Sequence, residues 1–261
     1  DDKVLADWNG KMLRALAEAG RLLERDDLLQ SARSLARFLL DTMQRDGHLC
    51  HAWRAGTLRN ESYLSDHAQV GLGLAELHAA NGELEWLQSA HALCEQMVAR
   101  FHDPDAGFFD SEPGELPVRA RDLFDGALPS ATAAACELLL RLAGAYERGD
   151  WADIVQRTIA RHGALLEQAP SAVPALLHAH LLNERGGELV LPVEEGKANA
   201  LVRARAEFAP LVTVVSAPPD ALPLLAGRTP GWAYLCRHGS CRLPARTLDE
   251  LRSQLAQHHA S

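Results

Sequence analysis

The chain has 261 residues and a formal net charge of −9, from 26 Lys and Arg against 35 Asp and Glu. The basic residues are scattered, which argues against a nucleic-acid partner, because phosphates are bound by concentrated Lys and Arg. No run approaches 18 apolar residues and the first residues resemble no secretory leader, so we expect no membrane partner and a cytoplasmic location. The five cysteines are then expected to be mostly reduced. Because the chain opens on DDKVLADWNG without Met, we expect it to be a piece of a longer protein.

Apolar residues recur at helical spacing, and the helices that they predict come in pairs. The predicted helices cover about 10–25, 28–43, 64–81, 84–101, 130–145, 151–167 and 172–184. The helices over 64–81, 130–145 and 172–184 are apolar on nearly all sides, whereas 84–101 and 151–167 carry a single apolar stripe. Buried helices thus alternate with half-buried ones.

This alternation predicts an all-α-dominated fold, an α/α toroid of helical hairpins in which an outer ring of helices wraps an inner ring. The inner helices should all begin at one mouth of the ring. The long connections at 47–62 and 106–130 carry Gly, Pro, aromatic and charged residues, which favours small β-hairpins on a binding face.

The pattern of apolar residues changes after residue 186. GELVLPV, LVTVVSA and GWAYLC are typical of short strands, between helical stretches at about 198–208 and 247–257. Thr247 and Glu250 have the spacing of a capping box at the start of the second stretch. We therefore predict a barrel portion over 1–186 and a small C-terminal α/β segment over 187–261 packed on it. The alternative is that these segments replace the last hairpin of the ring.

Five stretches of the chain resemble the C-terminal part of the spermatogenesis-associated, thioredoxin-domain-containing protein family. They are DDKVLADWNGKMLRALAEAG, YLSDHAQVGLGLAEL, GFFD, LPVRARDLFDGALPSATAA and AYLCRHGSC, and they follow the family's order along nearly the whole chain. The resemblance implies a six-hairpin α/α barrel similar to N-acylglucosamine 2-epimerases and six-hairpin glycosidases, of which this chain would be a part. It also implies a thioredoxin-like domain upstream in the same full-length protein, as a partner of the barrel.

Two acidic residues at predicted inner-helix starts are the first candidates for chemistry. Asp66 and Asp125 could act as general acid and base on a sugar, since glycoside hydrolysis needs two carboxylates that flank the scissile bond. The alternative is that each only caps a helix. His67, next to Asp66, is a candidate proton shuttle for an epimerase, or else a packed helix residue.

The candidates for substrate binding lie at the same predicted mouth. They are Trp8, Asn9, Tyr63, Arg119, Phe124 and Ser130. Aromatic rings there could stack on a sugar, and Arg119 could hold a carboxylate or phosphate. The alternatives are core packing for the rings, a surface ion pair for Arg119 and helix capping for Ser130.

Cys236 and Cys241 form the remaining candidate site. A strand–turn–strand could bring the two sulfurs together as a redox pair, although two separate thiols are the expected state in the cytoplasm. Their spacing fits neither a zinc ribbon nor a redox CxxC, so we predict no metal site and no cofactor.

Two classes of function remain open from the sequence. The first is a carbohydrate-acting enzyme, an isomerase or a hydrolase, with a sugar-sized pocket at the mouth. The second is a non-catalytic module that binds a ligand or partner and serves the upstream thioredoxin-like domain.

Overall fold

The computed structural model describes residues 2–59, 62–114, 118–194 and 200–260. The α-helices are α1 (Ala6–Leu22), α2 (Asp26–Arg37), α3 (Leu64–Asn81), α4 (Leu84–Phe101), α5 (Ala131–Ala143), α6 (Gly149–Arg161), α7 (Gly163–Gln168), α8 (Pro174–Arg185) and α9 (Leu248–Ala260). The strands are β1 (Val4–Leu5), β2 (Gln44–Arg45), β3 (His48–Leu49), β4 (Ala52–Arg54), β5 (Thr57–Arg59), β6 (His102–Asp103), β7 (Gly107–Phe108), β8 (Gly187–Pro192), β9 (Val212–Ala217), β10 (Tyr234–Arg237) and β11 (Ser240–Cys241).

The helices pack as hairpins around an inner row. α1 packs on α2, α3 on α4 and α5 on α6, and the inner helices α1, α3, α5 and α8 lie side by side in that order. The predicted α/α arrangement with a small strand-containing region is therefore confirmed. In the part of the chain that the structure describes, no helix combines the length and apolar character needed to cross a membrane.

α3 lies between α1 and α5 in this row. Of its 18 residues 14 are buried, as its apolar surface on nearly all sides predicts. Small residues let the neighbouring helices approach closely: a Cβ on Gly10 of α1 would lie 2.5 Å from the carbonyl carbon of Gln69. A Cβ on Gly73 of α3 would lie 2.7 Å from the carbonyl oxygen of Gly10. The two backbones are thus in direct contact at this crossing.

The helices at the ends of the row differ from the prediction. α8 was expected to be apolar on all sides and buried, but Leu181 is 40% exposed, because no further inner helix covers that side among the described residues. Met12 on α1 is exposed for the same reason. The structure has two helices where a single helix is predicted over 151–167, because the helix is interrupted at His162 between α6 and α7.

The first long connection contains the predicted β-hairpins. β2 pairs with β3 and β4 with β5, and β1, just before α1, adds to the edge of β4. Within 106–130, the described residues form only the strand β7, which pairs with β6 directly after α4, so the expected small β-hairpins are wrong for most of this connection. Gly107 and Phe108 pair back to the end of α4, and residues 115–117 lie outside the described residues.

The C-terminal segment forms a four-stranded sheet in the order β11-β10-β8-β9, with β8 and β9 parallel. Of the helical stretch predicted over 198–208, Ala200–Ala206 is a 3-10 helix and residues 198–199 lie outside the described residues. β9 packs on α3, where the Ser216 amide donates to Nε2 of the buried His78 at 3.2 Å. Burial lowers the pKa of His78 to about 4, so the ring is neutral and Nε2 accepts this bond at neutral pH.

The contact between Gly10 and α3 predicts a strong size limit at this position. Gly10→Ala should lower the free energy of unfolding by about 1–3 kcal/mol, because the added methyl overpacks two backbones that cannot separate freely. Gly163→Ala is the matched control, since no atom of the described part of the chain lies within 4 Å of a Cβ there. Urea unfolding of both variants checks this, and equal stability of the two would contradict it.

Candidate functional site

The inner helices all begin at the same mouth. A buried carboxylate joins the starts of α1 and α3. Asp66 lies in the first turn of α3 and is fully buried. Its Oδ2 accepts the backbone N–H of Tyr63 at 2.8 Å, which caps α3, and its Oδ1 accepts the backbone N–H of Asp7 at 3.1 Å. Asp7 is the second residue of α1. The amides of a helix's first turn lack partners inside the helix, so one carboxylate satisfies two helix starts.

Asp125 plays the same part between α5 and α8. Its Oδ1 accepts the N–H of Ser130, the N-cap of α5, at 2.7 Å, and its Oδ2 accepts the N–H of Ala175, the second residue of α8, at 2.6 Å. The Ser130 hydroxyl in turn accepts the N–H of Ala133 at 3.3 Å. Asp125 and Ser130 are therefore held by helix starts.

Asp66 differs from Asp125 in a third partner, His51, which lies between β3 and β4. Nδ1 of His51 is 3.0 Å from Oδ2 and 3.1 Å from Oδ1 of Asp66. The imidazole meets the Tyr63 ring edge to face at 4.9 Å, and 30% of its side chain is exposed. The hydrogen bond that His51 donates to Asp66 raises the pKa of His51, against burial that lowers it. These bonds use Nδ1, so Nε2 is the nitrogen that can meet a ligand.

His51 lines a groove of about 680 Å³ beside the β1-β4-β5 sheet. The other lining residues are Asp2, Lys3, Leu5, Ala52, Trp53, Arg54, Ala55, Thr57 and Arg59. This volume is within the range of small-ligand sites, and the lining combines one indole with several cations and hydroxyl or carbonyl groups. The groove can thus receive a polar ligand of sugar size next to a titratable imidazole.

Asp7 adds a third polar group beside the pair. Among the described residues its buried Oδ1 has no hydrogen-bond partner, and Asp7, His51 and Asp66 each offer an atom within 4.8 Å of the others. Three such groups at that spacing also resemble a metal site. Here the hydrogen bonds from His51 and from the Asp7 amide to Asp66 account for the proximity, and a cation would have to displace the His51 proton.

The other predicted binding residues at the mouth include Tyr63, Trp8, Phe124 and Asn9. Tyr63 lies with His51 and Asp66, and it also lines a cavity of about 430 Å³ with Ser65, Asp110, Arg121, Asp122 and Ala131. Trp8 and Phe124 are each 60% exposed. The Asn9 amide donates to the Leu5 carbonyl at its own helix start.

Arg119 serves its own loop. Its guanidinium donates to the Ser111 carbonyl and lies 4.1 Å from the centre of the Phe109 ring. We therefore leave Arg119, like Asn9, out of the ligand site.

His67 points away from the His51 groove and packs between α3 and α4. Its Nδ1 is bonded to the Tyr63 carbonyl at 3.3 Å, and its Nε2 lies 3.3 Å from Nη1 of Arg100. Burial lowers the pKa of His67 to about 4, so the ring is neutral at physiological pH and both nitrogens are occupied. A shuttle that must take and return protons near neutral pH needs a different group.

Cys236 and Cys241 are joined as a disulfide, which corrects the expectation of two separate thiols. The two residues face each other across the β10–β11 pair, and this register places their sulfurs within bonding distance. Cys50, Cys94 and Cys136 are buried free thiols.

The sequence reasoning missed His51. The residue lies 15 positions before its partner Asp66, and only the folding of two hairpins over the start of α3 brings them together. The available signal was the position of His51 in the GHLCHAW connection, which was already expected on the binding face.

The helical hairpins of this chain are similar in fold to part of the structures of two sugar epimerases. A sugar epimerase from a ruminal bacterium superposes with a TM-score of 0.52 at 16% identity, over 63% of this chain and 44% of that one. Cellobiose 2-epimerase from Spirochaeta thermophila DSM 6192 gives 0.50 at 16% identity, over 64% and 44%. At such identities the likeness concerns the fold alone.

The chain is a homologue of spermatogenesis-associated protein 20, which confirms the predicted family resemblance. The Homo sapiens protein is 29% identical over 284 residues, covering 98% of this chain and 36% of the relative. The Rattus norvegicus protein is 34% identical over 193 residues, covering 69% and 24%. The chain thus spans about a third or less of the length of these relatives. No family model matches the chain.

The His51–Asp66 pair predicts a stability that depends on pH. Because the pKa of His51 is raised on folding, its contribution is complete below the unfolded value of about 6.5 and is lost as pH rises through the folded pKa. His51→Gln should therefore cost more stability at pH 6 than at pH 8.5.

Urea unfolding of both proteins at the two pH values measures this difference. His48→Gln, at an exposed position in the same connection, is the control. A loss that is equal at both pH values, or larger at pH 8.5, would show that His51 is not paired with a charged Asp66.

Proposed function

We propose that the chain is a carbohydrate-binding barrel with a proton-transfer site of the sugar-isomerase type, in which His51 is the acid–base group. The single observation that carries the proposal is a partly exposed imidazole in a groove of about 680 Å³, held by a fully buried carboxylate. The fold likeness to proteins named as sugar epimerases supports the same substrate class.

The chemistry of epimerisation fits this pair. Inversion at the carbon beside a sugar's carbonyl requires removal of a proton from one face and its return to the other. A neutral imidazole can remove the proton, and the resulting imidazolium can return it to the opposite face once the planar enediol intermediate has turned over in the groove. A carboxylate on Nδ1 fixes the tautomer that leaves the Nε2 lone pair free. Asp66 is then a positioning residue, and His51 is the catalytic residue.

The groove supplies groups that could orient a sugar. Trp53 lies beside His51 in the lining and packs against Phe38 with ring centres 5.6 Å apart, which gives it a fixed position. An indole offers an apolar surface for a sugar ring, while the guanidinium groups of Arg54 and Arg59 can donate to hydroxyl and carbonyl oxygens.

The hydrolase alternative loses support from the same geometry. A pair of catalytic carboxylates must have oxygens available to the glycosidic bond or to water. Both oxygens of Asp125 accept backbone N–H groups, and both oxygens of Asp66 accept backbone N–H groups and His51. These acids are therefore better suited to holding the mouth together than to protonating a leaving group.

Exchange of sugar protons with solvent tests the proposal. The chain is incubated in D₂O with reducing mono- and disaccharides, and the signal of the hydrogen on C2 is followed by proton NMR. We expect protein-dependent loss of that signal for at least one sugar, and a rate lower by about 100-fold or more in His51→Asn. His48→Asn is the matched control and should retain the rate.

Two results would overturn the enzyme proposal. One is the absence of protein-dependent exchange with every sugar. The other is exchange that His51→Asn leaves unchanged. Stabilisation of the chain by a sugar in thermal unfolding, without exchange, would establish the alternative of a non-catalytic binding module.

A further inference from the structure

A second cavity lies at the opposite end of the inner helices, between the ends of α5 and α8 and the C-terminal sheet. Its volume is about 560 Å³. The lining includes Glu188, Thr213, Arg228 and His238. Since it is built from helix ends that the His51 groove does not use, its role is independent of the proposed isomerase site.

The disulfide lies beside this cavity, at the free edge of the sheet, where the lining residue Arg228 contacts Cys241. β11 is the outer strand, so Cys241 is exposed, whereas Cys236 on β10 is only 1% exposed. The two cysteines face each other in the register, and the Arg242 amide donates to the Leu235 carbonyl beside them. One sulfur of the disulfide can therefore be reached from solvent, and the other cannot.

A cation lies against the accessible sulfur. Nη2 of Arg228 is 3.0 Å from Sγ of Cys241. The guanidinium is held by a bond from Nε to the Leu224 carbonyl and by packing over the Tyr234 ring at 4.9 Å. A positive charge fixed next to a cysteine stabilises its thiolate, which is the reactive form.

A carboxyl group lies on the other side of the disulfide. Glu188 of β8 is directly opposite Cys236 of β10, and directly opposite residues of antiparallel strands project from the same face of the sheet. Cys241, Cys236 and Glu188 thus form a row across three strands. The Glu188 side chain lies so close to Gly144 that a Cβ there would overlap its carboxylate. Burial raises the pKa of Glu188 to about 7, so the group holds a proton for part of the time at neutral pH.

We propose that Cys236 and Cys241 form a thiol–disulfide exchange site that takes electrons from a dithiol. A thiolate of the dithiol attacks Sγ of Cys241, the bond between the two cysteines breaks, and its electron pair goes to Cys236, which receives a proton from Glu188. The second thiol of the reagent then loses its proton to solvent and attacks the reagent's first sulfur in the mixed disulfide, which releases Cys241 as a thiolate beside Arg228. The reagent ends as a disulfide, and the protein ends as a dithiol.

Alkylation of the native chain tests the proposal. Before reduction, iodoacetamide should label neither Cys236 nor Cys241. After treatment with dithiothreitol at pH 7 without denaturant, Cys241 should be labelled faster than Cys236 by on the order of tenfold, as read by peptide mass spectrometry. The buried Cys50, Cys94 and Cys136 are internal controls and should stay unlabelled.

Single-cysteine variants identify the attacked sulfur. Cys236→Ser should form a mixed disulfide with oxidised glutathione at Cys241, and Cys241→Ser should not form one at Cys236. Arg228→Gln should move the pH profile of Cys241 alkylation to higher pH, and Arg228→Lys, which keeps the charge, should largely restore it. A merely structural arginine would not move this profile.

Three results would overturn the proposal. They are free thiols at Cys236 and Cys241 in the chain after exposure to oxidised glutathione, reduction by dithiothreitol only in urea, and equal labelling of the two cysteines in the folded, reduced chain. Near-UV circular dichroism of each variant establishes that it is folded before labelling is compared.

Discussion

A carboxylate shared between two helix starts is the interaction on which the rest of this structure depends. The inner helices begin at the same mouth, so their first-turn amides lie close together there. These amides have no partners within their own helices. Asp66 joins α1 to α3, and Asp125 joins α5 to α8, each through one amide at an N-cap and one at the second residue of the neighbouring helix. These acids, one in the first turn of α3 and one before α5, thus set the relative height of the inner helices, and the mouth follows from that alignment.

The difference between the two acids determines where chemistry can occur. Both carboxylate oxygens of Asp125 accept backbone amides, whereas Asp66 also holds the imidazole of His51 at the edge of a groove. The same buried charge therefore fixes two helices and raises the pKa of a group that faces solvent. Near the C-terminal ends of the inner helices, Glu188 and Arg228 flank the disulfide through a separate set of contacts. The two ends of the inner helices thus support different proposals.

The helices of the core could be predicted from the sequence because their apolar periodicity is long and regular. α3 and α4 begin and end where the pattern predicts, and the shared mouth follows once buried and half-buried helices are told apart. The sequence indicated His67 because it is adjacent to Asp66, but residues adjacent on a helix point about 100° apart, so His67 faces α4. His51 reaches Asp66 only through the register of two short hairpins, which local pattern does not determine. The exposure of α1 and α8 likewise depends on what covers the ends of the row.

Hydrogen exchange at the backbone amides of Asp7, Ser130 and Ala175 measures whether shared carboxylates join the helix starts. Asp7 and Ala175 lie in first turns, where amides ordinarily exchange quickly, but both should be protected in the native chain because a carboxylate accepts each of them. Asp125→Ala should accelerate exchange at Ser130 and Ala175 and leave Asp7 protected. Rapid exchange of Asp7 and Ala175 in the native chain, or an equal acceleration of all three amides in the variant, would show that the carboxylates do not join the helix starts.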